Sequence, residues 1–191
     1  FLLFLLAVIK AVDDYQGLLR ISAASAGNDH RLGAAEAPPA IISIYLGEQL
    51  TEILRDLEHG AKTPSKKQED LGIGVDVLPH FFRDSSDRNR TSPFSFSNNK
   101  FEFRMVGSSA SVACPNMILN SIVADTLEIF ADRLEAADDF KEALNDLIVS
   151  VISEHKRIIF NGNSYSEAWK KEAGRRGLIN WPGSAEALSH Y

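Results

Sequence analysis

The chain has 191 residues, 45% of them hydrophobic and 24% charged, with a formal net charge of −6. That length accommodates one domain with a real hydrophobic core. The acidic balance argues against a nucleic-acid groove, since Lys66-Lys67 is answered at once by Gln68-Glu69-Asp70. Cys114 is the only cysteine, so no internal disulfide can form, which fits a reducing, cytoplasmic setting.

The first residues, Phe1 to Ile9, form an apolar run that stops at Lys10. It is far shorter than the roughly 20 residues a membrane span needs and lacks the flanks of a signal peptide, so a buried core helix is expected. The chain opens inside that helix and is expected to be a piece of a longer protein. One helix is predicted from Phe1 to about Ala24, broken by Ser25-Ala26-Gly27-Asn28-Asp29. After Pro38-Pro39, the β-branched run Ile41 to Tyr45 predicts a strand. Leu50, Ile53, Leu54 and Leu57 then recur at helical spacing up to Gly60. Ala61 to Gly74 reads as a polar surface loop, and Val75 to Leu78 as a short strand. Phe94-Ser95-Phe96 and Lys100 to Val106 read as a hairpin turning at Asn98-Asn99.

Pro115 suits the first turn of a long helix with an apolar stripe from Ile118 to Leu134. Ala136 to Asp139 should interrupt it before a second helix carrying Phe140 to Ile152. Ser164-Tyr165-Ser166-Glu167 has a capping-box pattern and opens a last helix that Gly177 closes. Strands of hairpin type among unlike elements point to an α+β fold, not a doubly wound parallel sheet. Gly72-Ile73-Gly74 is too short for a phosphate-binding glycine loop.

Three clusters could carry chemistry. Lys100 to Arg104 alternates charged and aromatic residues, placing Lys100, Glu102 and Arg104 on one face and Phe101, Phe103 and Met105 on the other. Such a charged face suits a cleft holding an anion or a metal ion, although a solvated sheet face with an ion pair accounts for it equally well. Asp87 to Pro93 concentrates arginines suited to phosphate oxygens, or to an ordinary solvated loop. His30 to Pro39 places Arg31 and Glu36 around glycine and alanine, as in a flexible flap or a plain turn. The five histidines are scattered and show no zinc spacing.

Gly27-Asn28-Asp29-His30-Arg31-Leu32-Gly33 followed by Glu36-Ala37-Pro38-Pro39-Ala40-Ile41-Ile42-Ser43 resembles glutamine synthetase, most closely its long type III branch. Asp87-Arg88-Asn89-Arg90-Thr91-Ser92-Pro93-Phe94 and Asn99 through Ser109 fit the same pattern. So do Pro115-Asn116 and Arg157-Ile158-Ile159-Phe160-Asn161-Gly162. The resemblance covers almost the whole chain. It implies that residues 1–191 are part of the catalytic domain plus the start of the type III C-terminal helical region. The implied reaction joins glutamate to ammonium with ATP through γ-glutamyl phosphate, in rings of identical subunits, with Mg²⁺ or Mn²⁺. Arg31 and Arg104 match glutamate-binding arginines. Glu36 matches the flap glutamate that covers the site. Arg90 matches an arginine that steadies the nucleotide phosphates and the transferred phosphoryl group. Glu102 matches a metal-binding glutamate, and Lys100 stands where relatives have an arginine near the nucleotide.

The resemblance has departures. A second family arginine is replaced by the stretch Phe94-Ser95-Phe96. The family's other metal ligands, its Asn-Gly glutamate loop and its β-grasp domain would precede Phe1. The chain is therefore expected to hold only part of a catalytic site and to be inactive as it stands. A γ-glutamyl ligase for other amines, or a non-catalytic assembly module that keeps the fold, are the alternatives.

Overall fold

In the computed structural model the described residues are 1–34, 37–60, 70–71, 81–82, 87, 91–97 and 99–190. The expected loop from Ala61, apart from the two residues at 70–71, and the expected strand from Val75 to Leu78 lie outside them. The fold is α+β, as predicted: a helical body with a small sheet at one side.

Helix α1 (Leu2–Asp14) is the centre of the core. Leu5, Leu6, Ala7, Val8, Ile9, Ala11 and Val12 are all buried, so the helix is covered nearly all round. This is what an apolar run without helical periodicity demands. No helix among the described residues is long and apolar enough to cross a membrane. The predicted single helix is divided at Tyr15, whose φ of −107° and ψ of 28° offset α2 (Gln16–Ser22) from α1. The Tyr15 amide still bonds the Ala11 carbonyl at 3.0 Å, and its hydroxyl donates to Asp125 at 2.6 Å, so the offset turns the ring toward a neighbouring helix. The break expected after it is three residues wide, Ala23 to Ser25, and lies ahead of Ala26. Ser25 takes an extended conformation and its Oγ accepts from the Asn28 amide, starting α3 (Ala26–Arg31) despite Gly27.

The β-branched run is buried at Ile41, Ile42 and Ile44, yet only Ile44–Tyr45 (β1) joins the sheet. Pro38 and Pro39 lack amide donors, and Ile41 bridges Asn180 instead. Strand β1 lies parallel to β4 (Phe94–Ser97), which pairs antiparallel with β5 (Lys100–Phe103), so the sheet is mixed. A separate two-residue ladder joins β2 (Asp70–Leu71) to β3 (Phe81–Phe82).

Helix α4 (Glu48–Glu58) ends as predicted near Gly60, which has φ 76°. Asn161 anchors its start, with Oδ1 accepting from the Leu46 and Gly47 amides at 3.0 Å each and Nδ2 donating to Thr51 Oγ1 at 2.8 Å. Helices α5 (Ala113–Glu135) and α6 (Phe140–His155) both pack on α1. Asp139 separates them by capping the Lys141 and Glu142 amides. A 3₁₀ turn at Lys156–Ile158 leads to α7 (Glu167–Arg175) and α8 (Ser184–Ser189). Ser166, not Ser164, caps α7, bonding the Trp169 amide. Asn163 Oδ1 takes the Tyr165 amide at 2.9 Å, which keeps Ser164 outside the helix.

A buried carboxylate ties the two ends of the chain together. Asp13 accepts from His155 Nδ1 at 2.8 Å, from Arg157 Nε at 3.0 Å and from Gln16 Nε2 at 3.0 Å. Gln16 Oε1 in turn accepts the Ile179 amide. Arg20, almost fully buried, donates to the carbonyls of Trp181 and Pro182.

Candidate functional site

The β4–β5 hairpin places the charged residues as the alternation predicts. Phe94 faces Phe103 and Phe96 faces Phe101 in register, and the ring centroids of the latter pair are 4.9 Å apart. These aromatic cross-strand pairs fix which side of β5 is apolar. The opposite side carries Lys100 and Glu102, and Arg104 follows at the strand end.

Glu102 sits between two cations. Lys100 Nζ lies 2.7 Å from Oε1, and Arg104 reaches Oε2 through Nε at 3.2 Å and Nη2 at 2.9 Å. Lys100 and Arg104 hold the Glu102 carboxyl down to a pKa of about 2, so it is ionised throughout the physiological range. Arg104 Nη1 donates to Asp87 Oδ2 at 2.8 Å. Asp87 is buried and also accepts the amides and hydroxyls of Thr91 and Ser92. Burial pushes the Asp87 carboxyl up, but the Ser92 and Thr91 donors outweigh it and the net shift is downward. Asp87 is thus a fixed anion that aims Arg104. No signal within the sequence pointed to that role, because the pair is separated by seventeen residues.

Arg31 reaches the same end of the hairpin from α3. It is the last residue of that helix, with Nε donating to Asn28 Oδ1 at 2.9 Å and Nη2 to the Met105 carbonyl at 2.6 Å. Asn28 is the clamp, since its Nδ2 donates to the Ala23 and Met105 carbonyls. Arg31 is therefore seated on a helix end, not carried on a flexible flap. Gly33, with φ 81°, donates its amide to the Ala37 and Pro38 carbonyls, and Leu32 bridges Ala37. Glu36 and Arg90 lie outside the described residues. Asp29, in the same sequence motif as Arg31, is structural: it accepts from Ser184 and lies near Arg20.

The structure thus brings Arg31, Lys100, Glu102 and Arg104 to one hairpin. As a metal site the described part is incomplete. Glu102 offers two oxygens, each already facing a cation, while Mg²⁺ seeks near-octahedral oxygen coordination. One feature favours a polar ligand there. Ser95, opposite Glu102 in the register, is fully buried with no hydrogen-bond partner for its hydroxyl. Elsewhere among the described residues, Asp13, Asp14 and His155 are close enough to share an ion. Lys10 and Arg157 already neutralise that group.

Comparison with known proteins gives this geometry a family. Residues 143–191 match the glutamine synthetase C-terminal domain. The whole chain is 46% identical over 193 residues to the type-3 glutamine synthetase of Dictyostelium discoideum, covering 26% of that protein. It is also 46% identical to a glutamine synthetase of Bacteroides fragilis (strain YCH46) and 42% identical to one of Butyrivibrio fibrisolvens, covering 27% of each. The chain spans about a quarter of the length of these curated relatives. Over its whole length, from Phe1 to Tyr191, the chain belongs in sequence with the glutamine synthetases, the type-3 enzyme among them.

Proposed function

We propose that this chain is the part of a glutamate–ammonia ligase that supplies one wall of the catalytic site, within the catalytic domain and the start of the following helical region. The observation that carries the reading is the Glu102 face of β5, flanked by Lys100 and Arg104, with Arg31 bonded to the Met105 carbonyl just past the strand, in a chain akin to type-3 glutamine synthetases throughout. In this reading Arg31 and Arg104 bind the glutamate substrate. Arg31 has Nε and Nη2 bonded and its Nη1 left over, while Arg104 uses three of its five N–H donors on Glu102 and Asp87. Lys100, largely exposed, meets the nucleotide phosphates, and Arg90 steadies the transferring phosphoryl group.

A carboxylate resists attack by ammonia until it is phosphorylated, so ATP activates glutamate as γ-glutamyl phosphate. In this reading Glu36 covers the acyl phosphate and takes a proton from ammonium. Glu102 would contribute one ligand to a Mg²⁺ or Mn²⁺ ion, which when bound neutralises phosphate charge. To hold such an ion, Glu102 would release Lys100 or Arg104 from one of its oxygens. The remaining ligands come from beyond this chain's described residues, in rings of identical subunits in the cytoplasm.

The test is an assay of the full-length protein with glutamate, ATP and Mg²⁺, with and without ammonium. Ammonium-dependent phosphate release with glutamine formation supports the ligase. Phosphate release with a larger amine but not with ammonium assigns a γ-glutamyl amine ligase instead. No release above background overturns the catalytic reading. The 191-residue chain alone should show no γ-glutamyl transferase activity.

A further inference from the structure

A cavity of about 370 Å³ opens between α4, α6, the 3₁₀ turn and the end of α7. Its volume falls in the range of small-molecule sites. It shares no lining residue with Arg31, Lys100, Glu102 or Arg104. Its floor is apolar, made of Leu54, Ile152 and Ile159, and its charged rim holds Arg55, Lys156, Arg157 and Arg176 with only one carboxylate, Glu58. On a chain of net charge −6 this is a local excess of cations.

The cations retain unused donors. Lys156 places its ammonium 2.6 Å from Glu58, which engages one of three protons. Arg157 uses Nε on Asp13. Arg176 is locked: Nε donates to Glu172 at 2.9 Å, Nη1 to the Arg157 and Ile159 carbonyls, and the guanidinium lies 5.3 Å from the Trp169 ring centroid. That leaves its Nη2 edge preorganised for an acceptor. Arg55 has no acidic partner among the described residues. When Glu58, Asp13 and Glu172 are each credited to their own partners, the Arg55 charge remains uncompensated among the described residues.

We infer that this cavity binds a phosphomonoester of a small organic molecule, its phosphate on the arginine and lysine rim and its organic part on the Leu54–Ile152–Ile159 floor. Planar guanidinium donors match phosphate oxygens in pairs, and the lysine adds a point charge. The apolar floor distinguishes an ester from free phosphate. This inference does not depend on the ligase reading, because none of the residues it uses has a part in that reaction.

Isothermal titration of the chain at low salt, with glycerol 2-phosphate and separately with inorganic phosphate, tests it. Arg55→Gln serves as the main variant, because Arg55 is exposed and supports no ion pair among the described residues. Lys156→Gln is the second, and thermal unfolding checks that both fold. The expected result is saturable binding of the ester, tighter than that of inorganic phosphate, and weakened about tenfold or more in Arg55→Gln. Absence of saturable binding up to about 10 mM ester overturns the inference. So does equal affinity for ester and inorganic phosphate, or binding that survives unchanged in both folded variants.

Discussion

Replacing Asp87 with alanine removes a carboxylate that is 8% exposed and accepts from five donors. The Thr91 and Ser92 hydroxyls can turn to other acceptors, but the two amides and Arg104 Nη1 lose theirs. Breaking a buried ion pair by removing one partner costs about 3–5 kcal/mol. Arg104 keeps its contacts with Glu102, so the lower end applies, about 3 kcal/mol. For a protein of this size that lowers Tm by about 6–12 °C. The folded pKa of Asp87 lies below the unfolded value of about 3.9. Its stabilisation is therefore complete above that value and is lost as pH falls through the folded pKa. Thermal unfolding followed by circular dichroism at neutral pH and down through the acid range should show two things. Asp87→Ala melts earlier, and it loses less additional stability on acidification than the parent chain. A neutral-pH shift below about 1 °C, or an acid profile parallel to that of the parent, would refute the view of Asp87 as a buried, fixed anion.

Three further perturbations address other parts of the molecule. Glu102 should titrate by carbon-detected NMR with a midpoint near 2, and Lys100→Ala should raise that midpoint; a carboxyl titrating above 4 in the parent chain would contradict the two-cation geometry. Because the folded value is depressed, what Glu102 adds to stability persists above about 4.3 and disappears as pH falls toward 2, and partial exposure keeps it within about 1 kcal/mol. Asn161→Ala leaves the Leu46 and Gly47 amides without their acceptor and should cost about 2–3 kcal/mol by denaturant titration, whereas a change within 0.5 kcal/mol would show that water replaces it readily. Gly162→Ala would put a methyl group 2.5 Å from Phe160 Cζ, in a ring stacked 3.7 Å from Trp169, so a loss of about 1–3 kcal/mol is expected with altered near-ultraviolet dichroism. An unchanged spectrum would mean the stack yields freely.

The parts of the fold legible in the sequence were those governed by local period. The Phe94–Phe103 hairpin, with its register and polar face, follows from strict alternation, because a slip by one residue would bury Glu102 and expose the phenylalanines. The stop near Gly60 and the gap before Phe140 were read from residues with a direct backbone consequence. Elsewhere two local signals competed. At Ser25 the capping hydroxyl outweighed Gly27, so an expected break became a helix start. At Ser164 the neighbouring Asn163 took an amide that a capping box would have left free, and the cap moved to Ser166. The support of the site was not legible at all. Asn28 and Arg31 both donate to the Met105 carbonyl, and Asp87 holds Arg104, and neither of these distant contacts has any period in the chain.

The Asp13 cluster also bears on modularity. The stretch matching the C-terminal domain begins at residue 143, three residues after α6 starts at Phe140. His155, Arg157 and Ile179 within that stretch bond Asp13 and Gln16, while Trp181 and Pro182 hold Arg20. Cutting at that boundary would divide a helix and leave a buried carboxylate and a buried guanidinium without their counterparts. A border of sequence similarity is thus no border of cooperativity. The first twenty residues and the last fifty are joined by buried polar contacts and are expected to unfold together.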